Sequence, residues 1–138
     1  MKKTFVCGLI LFLFGCSAGN EKKSISLLRE KVNPAPIQEY REKVPDDLND
    51  WFFAVQLFET DSTFNYMLRM QYKEVRGEQL IRFPNLGYEP KPVVKKGAYD
   101  KTVMVGFQDE KGKFMDYKMV YVVDEQMGIR SIKRYTIN

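Results

Sequence analysis

Phe64-Asn65-Tyr66-Met67-Leu68-Arg69-Met70-Gln71-Tyr72-Lys73 is the stretch whose reading decides the fold. Phe64, Tyr66, Leu68, Met70 and Tyr72 alternate with Asn65, Met67, Arg69, Gln71 and Lys73, so one side is apolar and the other mostly polar. A period of two marks a strand with one face on a core. Arg76-Gly77-Glu78 reads as a turn, Gln79 to Phe83 as the returning strand, and Pro84-Asn85-Leu86-Gly87 as the close of that hairpin. Upstream, Trp51-Phe52-Phe53-Ala54-Val55 is apolar at every position and Leu57-Phe58 continues it. Its aromatic and β-branched content, and the stop at Thr60-Asp61-Ser62, predict a strand buried on both faces.

Downstream, Pro90 and Pro92 cannot donate to a ladder, which makes Tyr88 to Val94 an edge strand or a loop on the sheet. Lys95, Lys96 and Lys101 around Gly97 read as a solvated turn that also discourages edge pairing. Val103, Val105 and Phe107 share one side of the next strand, and Asp109-Glu110-Lys111-Gly112-Lys113 turns it. Phe114 to Asp124 places Met115, Tyr117, Met119, Tyr121 and Val123 on one face, with Val120 and Val122 thickening the other. Glu125 to Gly128 reads as a turn and Ile129 to Ile137 as a last strand. About six or seven strands in hairpins predict an all-β, mainly antiparallel domain, a two-layer sandwich spanning 46–138.

The residues before that domain are of another kind. Ser24 to Val32 suits a short helix capped by Ser24, with Ile25, Leu28 and Val32 three and four apart. Asn33 to Asp50 carries Pro34, Pro36 and Pro45 among charges, which predicts an extended tether. The domain boundary falls near Asp46.

At the start, Lys2 and Lys3 precede the uncharged run Phe5 to Phe14. That run is too short for a bilayer core needing roughly 20 apolar residues, and it matches the apolar region of a secretory signal. Leu13-Phe14-Gly15-Cys16 resembles the lipobox of bacterial lipoproteins, although Phe14 is bulkier than the family's usual residue there. The resemblance implies a signal peptide over 1–15, a diacylglycerol on the sulfur of Cys16, and a lipidated segment over 16–45. It implies attachment to a membrane, since two or more acyl chains give stable anchoring. Ser17 stands where an Asp commonly retains such lipoproteins at the inner membrane, which points to the outer membrane with the domain facing the periplasm; display on the cell surface is the alternative.

Composition narrows the chemistry. Cleavage before Cys16 would remove 15 of the 138 residues and leave 123, enough for one domain. The two lysines removed with the signal lower the net charge from +4 to +2, so the basic balance makes no case for nucleic acid. Cys7 and Cys16 are the only cysteines, so the domain has no disulfide to rely on. The sequence contains no His, which excludes Ser-His-Asp and Cys-His catalysis and the usual zinc ligands. No phosphate-cradling glycine loop is present. Asp109-Glu110 and Asp124-Glu125 sit in turns, where acids serve solubility, and Asp116 in mid-strand reads as an outward-facing acid. No catalytic residue, metal or cofactor is expected.

What remains is binding. Trp51, Phe52 and Phe53 open the domain, and any part of them left exposed would form an aromatic anchor, although core packing is the readier role. An open sheet edge, to which a partner strand could add, is the second candidate. The layout of lipid anchor, tether and small β-sandwich is similar to the outer-membrane lipoprotein of type VI secretion machines. That resemblance implies docking onto a protein of the cell envelope and carries over no residue beyond Cys16. The alternative is a glycan- or small-molecule-binding lipoprotein using tyrosines and Trp51.

Overall fold

The computed structural model describes residues 25–135, and the signal-like segment with Cys16 lies outside the described residues. Eight strands follow in order: β1 Gln38–Val44, β2 Trp51–Glu59, β3 Asn65–Tyr72, β4 Val75–Arg82, β5 Lys91–Lys96, β6 Thr102–Gln108, β7 Phe114–Val123 and β8 Gln126–Ser131. They form two four-stranded antiparallel sheets, β1-β2-β3-β4 and β5-β6-β7-β8. Each sheet is a meander in chain order, and the two pack face to face as a β-sandwich. No helix occurs among the described residues.

The core lies between the sheets. Phe53, Val55 and Leu57 of β2 and Tyr66, Leu68 and Tyr72 of β3 meet Val103, Val105 and Phe107 of β6 and Val120 and Val122 of β7. Phe83, fully buried just after β4, touches Tyr66, Phe107 and Tyr117 with ring centroids 5.2–5.7 Å apart. Each such side chain contributes about 1.5–3 kcal/mol on burial, and residues 25–135 contain no cysteine to add a crosslink. Two tyrosine hydroxyls at the core's end find carbonyls: Tyr117 donates to that of Arg82 (2.8 Å) and Tyr135 to that of Asp116 (2.7 Å).

Several expectations change. The described part of the expected Ser24–Val32 helix, from Ile25 on, is an irregular strap. Its backbone bonds the loop after β2 rather than itself: Arg29 N–H donates to Asp61 O (2.8 Å) and Thr63 N–H to Leu27 O (3.1 Å). The Arg29 guanidinium fixes the strap, donating to the carbonyls of Thr60 and Thr63 and to the Tyr66 hydroxyl, 3.5 Å from Glu59. Within the expected tether, Gln38–Val44 is β1 and pairs with β2 along all seven residues. Tyr40 and Val44 pack on the core from it, so the ordered fold begins well before Asp46. Asp46 lies in the β1–β2 loop, where its carboxylate accepts the N–H groups of Leu48 and Asn49; the first of these bonds leads in holding it below its ordinary pKa.

Both glycine-centred turns shift toward the N-terminus. The β3–β4 turn is Lys73-Glu74, with Lys73 at φ 55°, and the β7–β8 turn is Asp124-Glu125, at φ 51° and 63°. Gly77 and Gly128 sit inside strands. A Cβ on Gly77 would stand 3.3 Å from Cε of Met70, and one on Gly128 would strike the Tyr121 ring. At Gly128 the cross-strand Tyr121 ring fills the space a side chain would need, whereas at Gly77 the flexible end of Met70 leaves a tight fit.

β2 buries one face only: Phe53, Val55 and Leu57 are buried, while Phe52, Ala54, Gln56 and Phe58 are half-buried on the outside. In β7 the inward face changes. Met115 and Tyr117 pack on the core early in the strand, and Val120 and Val122 do so later. The register slips between Val105 and Gly106, which face Lys118 and Asp116, leaving Tyr117 as the extra residue of a β-bulge that swaps the alternation. The last strand ends at Ser131, not at Ile137, which lies outside the described residues.

Candidate functional site

Trp51, Phe52 and Phe53 are adjacent in sequence and separated in space by the strand's alternation. Phe53 is 2% exposed and meets Tyr72 edge-on at 6.0 Å. Trp51 is half-buried on the core side at the strand's beginning, with the Lys73 ammonium 4.8 Å from its ring. Phe52 alone faces outward, beneath the Arg41 guanidinium at 3.8 Å. The three therefore do not form one aromatic anchor.

The outer face of the first sheet is where polar and apolar groups converge. Pairing aligns side chains in rows across all four strands: Glu39, Gln56, Arg69 and Glu78 form one, and Arg41, Ala54, Gln71 and Arg76 the next. The first row satisfies itself, with Gln56 donating to Glu39 (3.1 Å) and Arg69 paired with Glu78 (2.7 Å). In the second, Arg41 and Arg76 stand at opposite ends of a floor made by Ala54 and Gln71. Neither has an acidic partner among the described residues. A concavity of about 380 Å³ lies between them. A third row, Phe58-Met67-Leu80, is apolar and runs out to β4, where Leu80 is 54% exposed. Arg69 covers Phe58 at 4.5 Å. Such a face can receive a carboxylate at either guanidinium and an apolar side chain beside Leu80.

Other charges that the sequence brings forward are engaged in holding the fold. Lys73 of the β3–β4 turn pairs with Glu125 of the β7–β8 turn and so ties one sheet to the other; the hydrogen bond raises the Lys73 pKa and lowers that of Glu125. Lys96 reaches Glu42 at 3.7 Å, Lys95 lies 3.7 Å over the Phe114 ring, and Lys101 lies 5.6 Å from that of Tyr72. Asp109 accepts the N–H groups of Lys111 and Lys113 within its own turn. Asp116 is half-buried beside the bulge. A second concavity, about 680 Å³, lies between the strap and Tyr88-Glu89. Its guanidinium, Arg29, is already bonded to the loop carbonyls and stands 3.8 Å from Glu89. No group of three or more acidic, His or Cys side chains suited to a metal occurs among the described residues. No described helix is long and apolar enough to cross a membrane.

Arg41, Arg76 and Leu80 do not stand out as site residues in the sequence. The only signal for them is alternation in two charged stretches, one of which reads as tether while the other is cut in two by the expected turn at Gly77. Comparison of the chain with models of known families, with curated proteins and with solved structures finds no match.

Proposed function

We propose that this protein is a non-enzymatic, lipid-anchored envelope protein that docks its β-sandwich onto another protein, as an assembly component of a membrane complex. Cys16 carries the acyl chains, and the outer membrane, facing the periplasm, is the place its leader suggests. The single observation that supports docking over small-molecule binding is the form of the first sheet's outer face. It combines an apolar row with two guanidiniums that have no acidic partner among the described residues, and its one phenyl ring near those charges, Phe52, lies under Arg41 instead of open to a sugar. Interfaces are built from such arginine and apolar anchors over broad areas. Anchoring both partners at one membrane raises their effective concentration, so a modest contact suffices. The layout likeness to the type VI secretion lipoprotein makes a secretion-like machine the kind of assembly to look in. The test is purification of the protein from gently solubilised membranes at native abundance. A defined envelope protein should accompany it, and recovery of the protein always alone would overturn the docking reading.

A further inference from the structure

β4 is a sheet edge whose outward backbone groups are largely open. Its two-residue turn closes on Tyr72 and Val75, and Phe83 N–H donates to Phe64 O (2.9 Å). Odd-numbered residues of β4 therefore bond β3, and alternation aims the N–H and C=O groups of Arg76, Glu78, Leu80 and Arg82 off the sheet. Tyr117 takes the Arg82 carbonyl. The backbone groups of Arg76, Glu78 and Leu80 meet no partner among the described residues. The β1 and β5 edges are better guarded. β1 and β5 lie against each other, with Gln38 Oε1 accepting Val94 N–H (3.4 Å) and Lys96 reaching Glu42. β5 also contains Pro92; β8 leaves the backbone of Met127, Ile129 and Ser131 open by the same alternation, but the Met127 and Ile129 side chains pack on the core and offer an added strand no selective contact.

The side chains along this edge specify a partner. Leu80 is 54% exposed and ends the apolar row, Arg76 makes no ion pair among the described residues, and Glu78 is already paired with Arg69. A second copy of the chain fits badly. Two-fold pairing centred on Glu78 opposes it to itself, centring on Gly77 pairs Arg76 with Glu78 but sets Leu80 against Glu74 of the turn, centring on Gln79 opposes Arg76 to Arg82, and centring on Leu80 needs the Arg82 carbonyl that Tyr117 takes. We infer that the β4 edge accepts an extended, antiparallel segment of a different protein as a fifth strand, with an apolar residue opposite Leu80 and an acidic residue four positions later opposite Arg76. The residue between them, opposite Glu78, is small and polar. Backbone bonds supply attachment, and the two side-chain positions supply selectivity.

This deepens the docking reading, and its test separates the two. The full-length protein in detergent is titrated with the synthetic peptide Thr-Val-Thr-Thr-Thr-Asp-Thr and with its counterpart bearing Lys for Asp. The acidic peptide should bind about tenfold or more tightly than the lysine one, a difference of about 1.4 kcal/mol. It should also slow amide exchange at Arg76, Glu78 and Leu80. Leu80→Pro, which removes an outward N–H, should abolish binding. Arg76→Glu, which leaves the backbone intact, should reverse the preference and decides the matter if the proline variant misfolds. No binding of either peptide at millimolar concentration, equal binding of both, or edge amides already protected in a self-associated protein would each overturn the inference. Failure here with an envelope partner still co-purifying would leave docking standing; peptide binding by a protein always recovered alone would do the reverse.

Discussion

Gly106 faces the bulge of β7, and a Cβ there would collide with the Met115 carbonyl and the Phe114 ring. A backbone carbonyl cannot retreat without breaking the ladder, so Gly106→Ala should lower stability by about 2 kcal/mol or more. The Gly128 position differs, because the group in the way is the far end of the Tyr121 ring, which can swing aside. Gly128→Ala should cost less, and urea unfolding of the two variants at unchanged m-value would rank them. Tyr40 offers a titration. Its phenol is pushed up to about 12, first by burial and then by the hydrogen bond it donates to Glu42 (2.8 Å). An unfolded tyrosine ionises near about 10, so the unfolded chain releases this proton first. The stability that goes with the neutral phenol is complete below about pH 10 and is lost as pH rises toward about 12. Tyr40→Phe should flatten the alkaline fall in unfolding free energy over that window. The slope should not vanish, since burial raises Tyr66, Tyr88 and Tyr135 as well.

At the level of elements, β1 is indispensable although it looks like linker. It covers the edge of β2 through seven paired residues and places Tyr40 and Val44 on the core. A chain begun at Asp46 should fail to fold, showing an unfolded circular dichroism spectrum, whereas one begun at Ile25 should melt cooperatively. The reason β1 is hard to see is chemical. Gln38-Glu39-Tyr40-Arg41-Glu42-Lys43-Val44 alternates, but the inward positions include Gln38 and Glu42, which satisfy Val94 N–H, Tyr40 and Lys96 at the seam between sheets instead of entering the core. β3 is legible because its inward positions are all large and apolar. The turns beside β4 and β8 are misplaced by a sequence reading because glycine signals two different things. It can allow a tight turn, or it can make room for a neighbour, and only the cross-strand partners Met70 and Tyr121 distinguish these. The bulge at Tyr117 leaves mixed apolar faces in β7 that local alternation does not resolve. The outer-face site is illegible for a related reason: Arg41, Arg69 and Arg76 come from three strands, and register alone brings them level.

For the whole molecule, the strap lies beside the β2–β3 loop, where Leu28 bridges Ser62. The β1–β2, β3–β4, β5–β6 and β7–β8 connections lie at the opposite end. Under the proposed lipidation, Cys16→Ser should leave the sandwich folded and free it from the membrane fraction. A mutant that still sediments with membranes in high salt would contradict that anchor. The two meanders have a consequence of their own. Among the described residues no strand crosses from one sheet to the other, and residues 83–90 link them covalently. A nick between Asn85 and Gly87 would sever no ladder, and the fragments should remain associated through the shared core and the Lys73–Glu125 pair. Expressed apart, the two halves should find each other and regenerate the native melting transition, which would make this protein a natural split reporter.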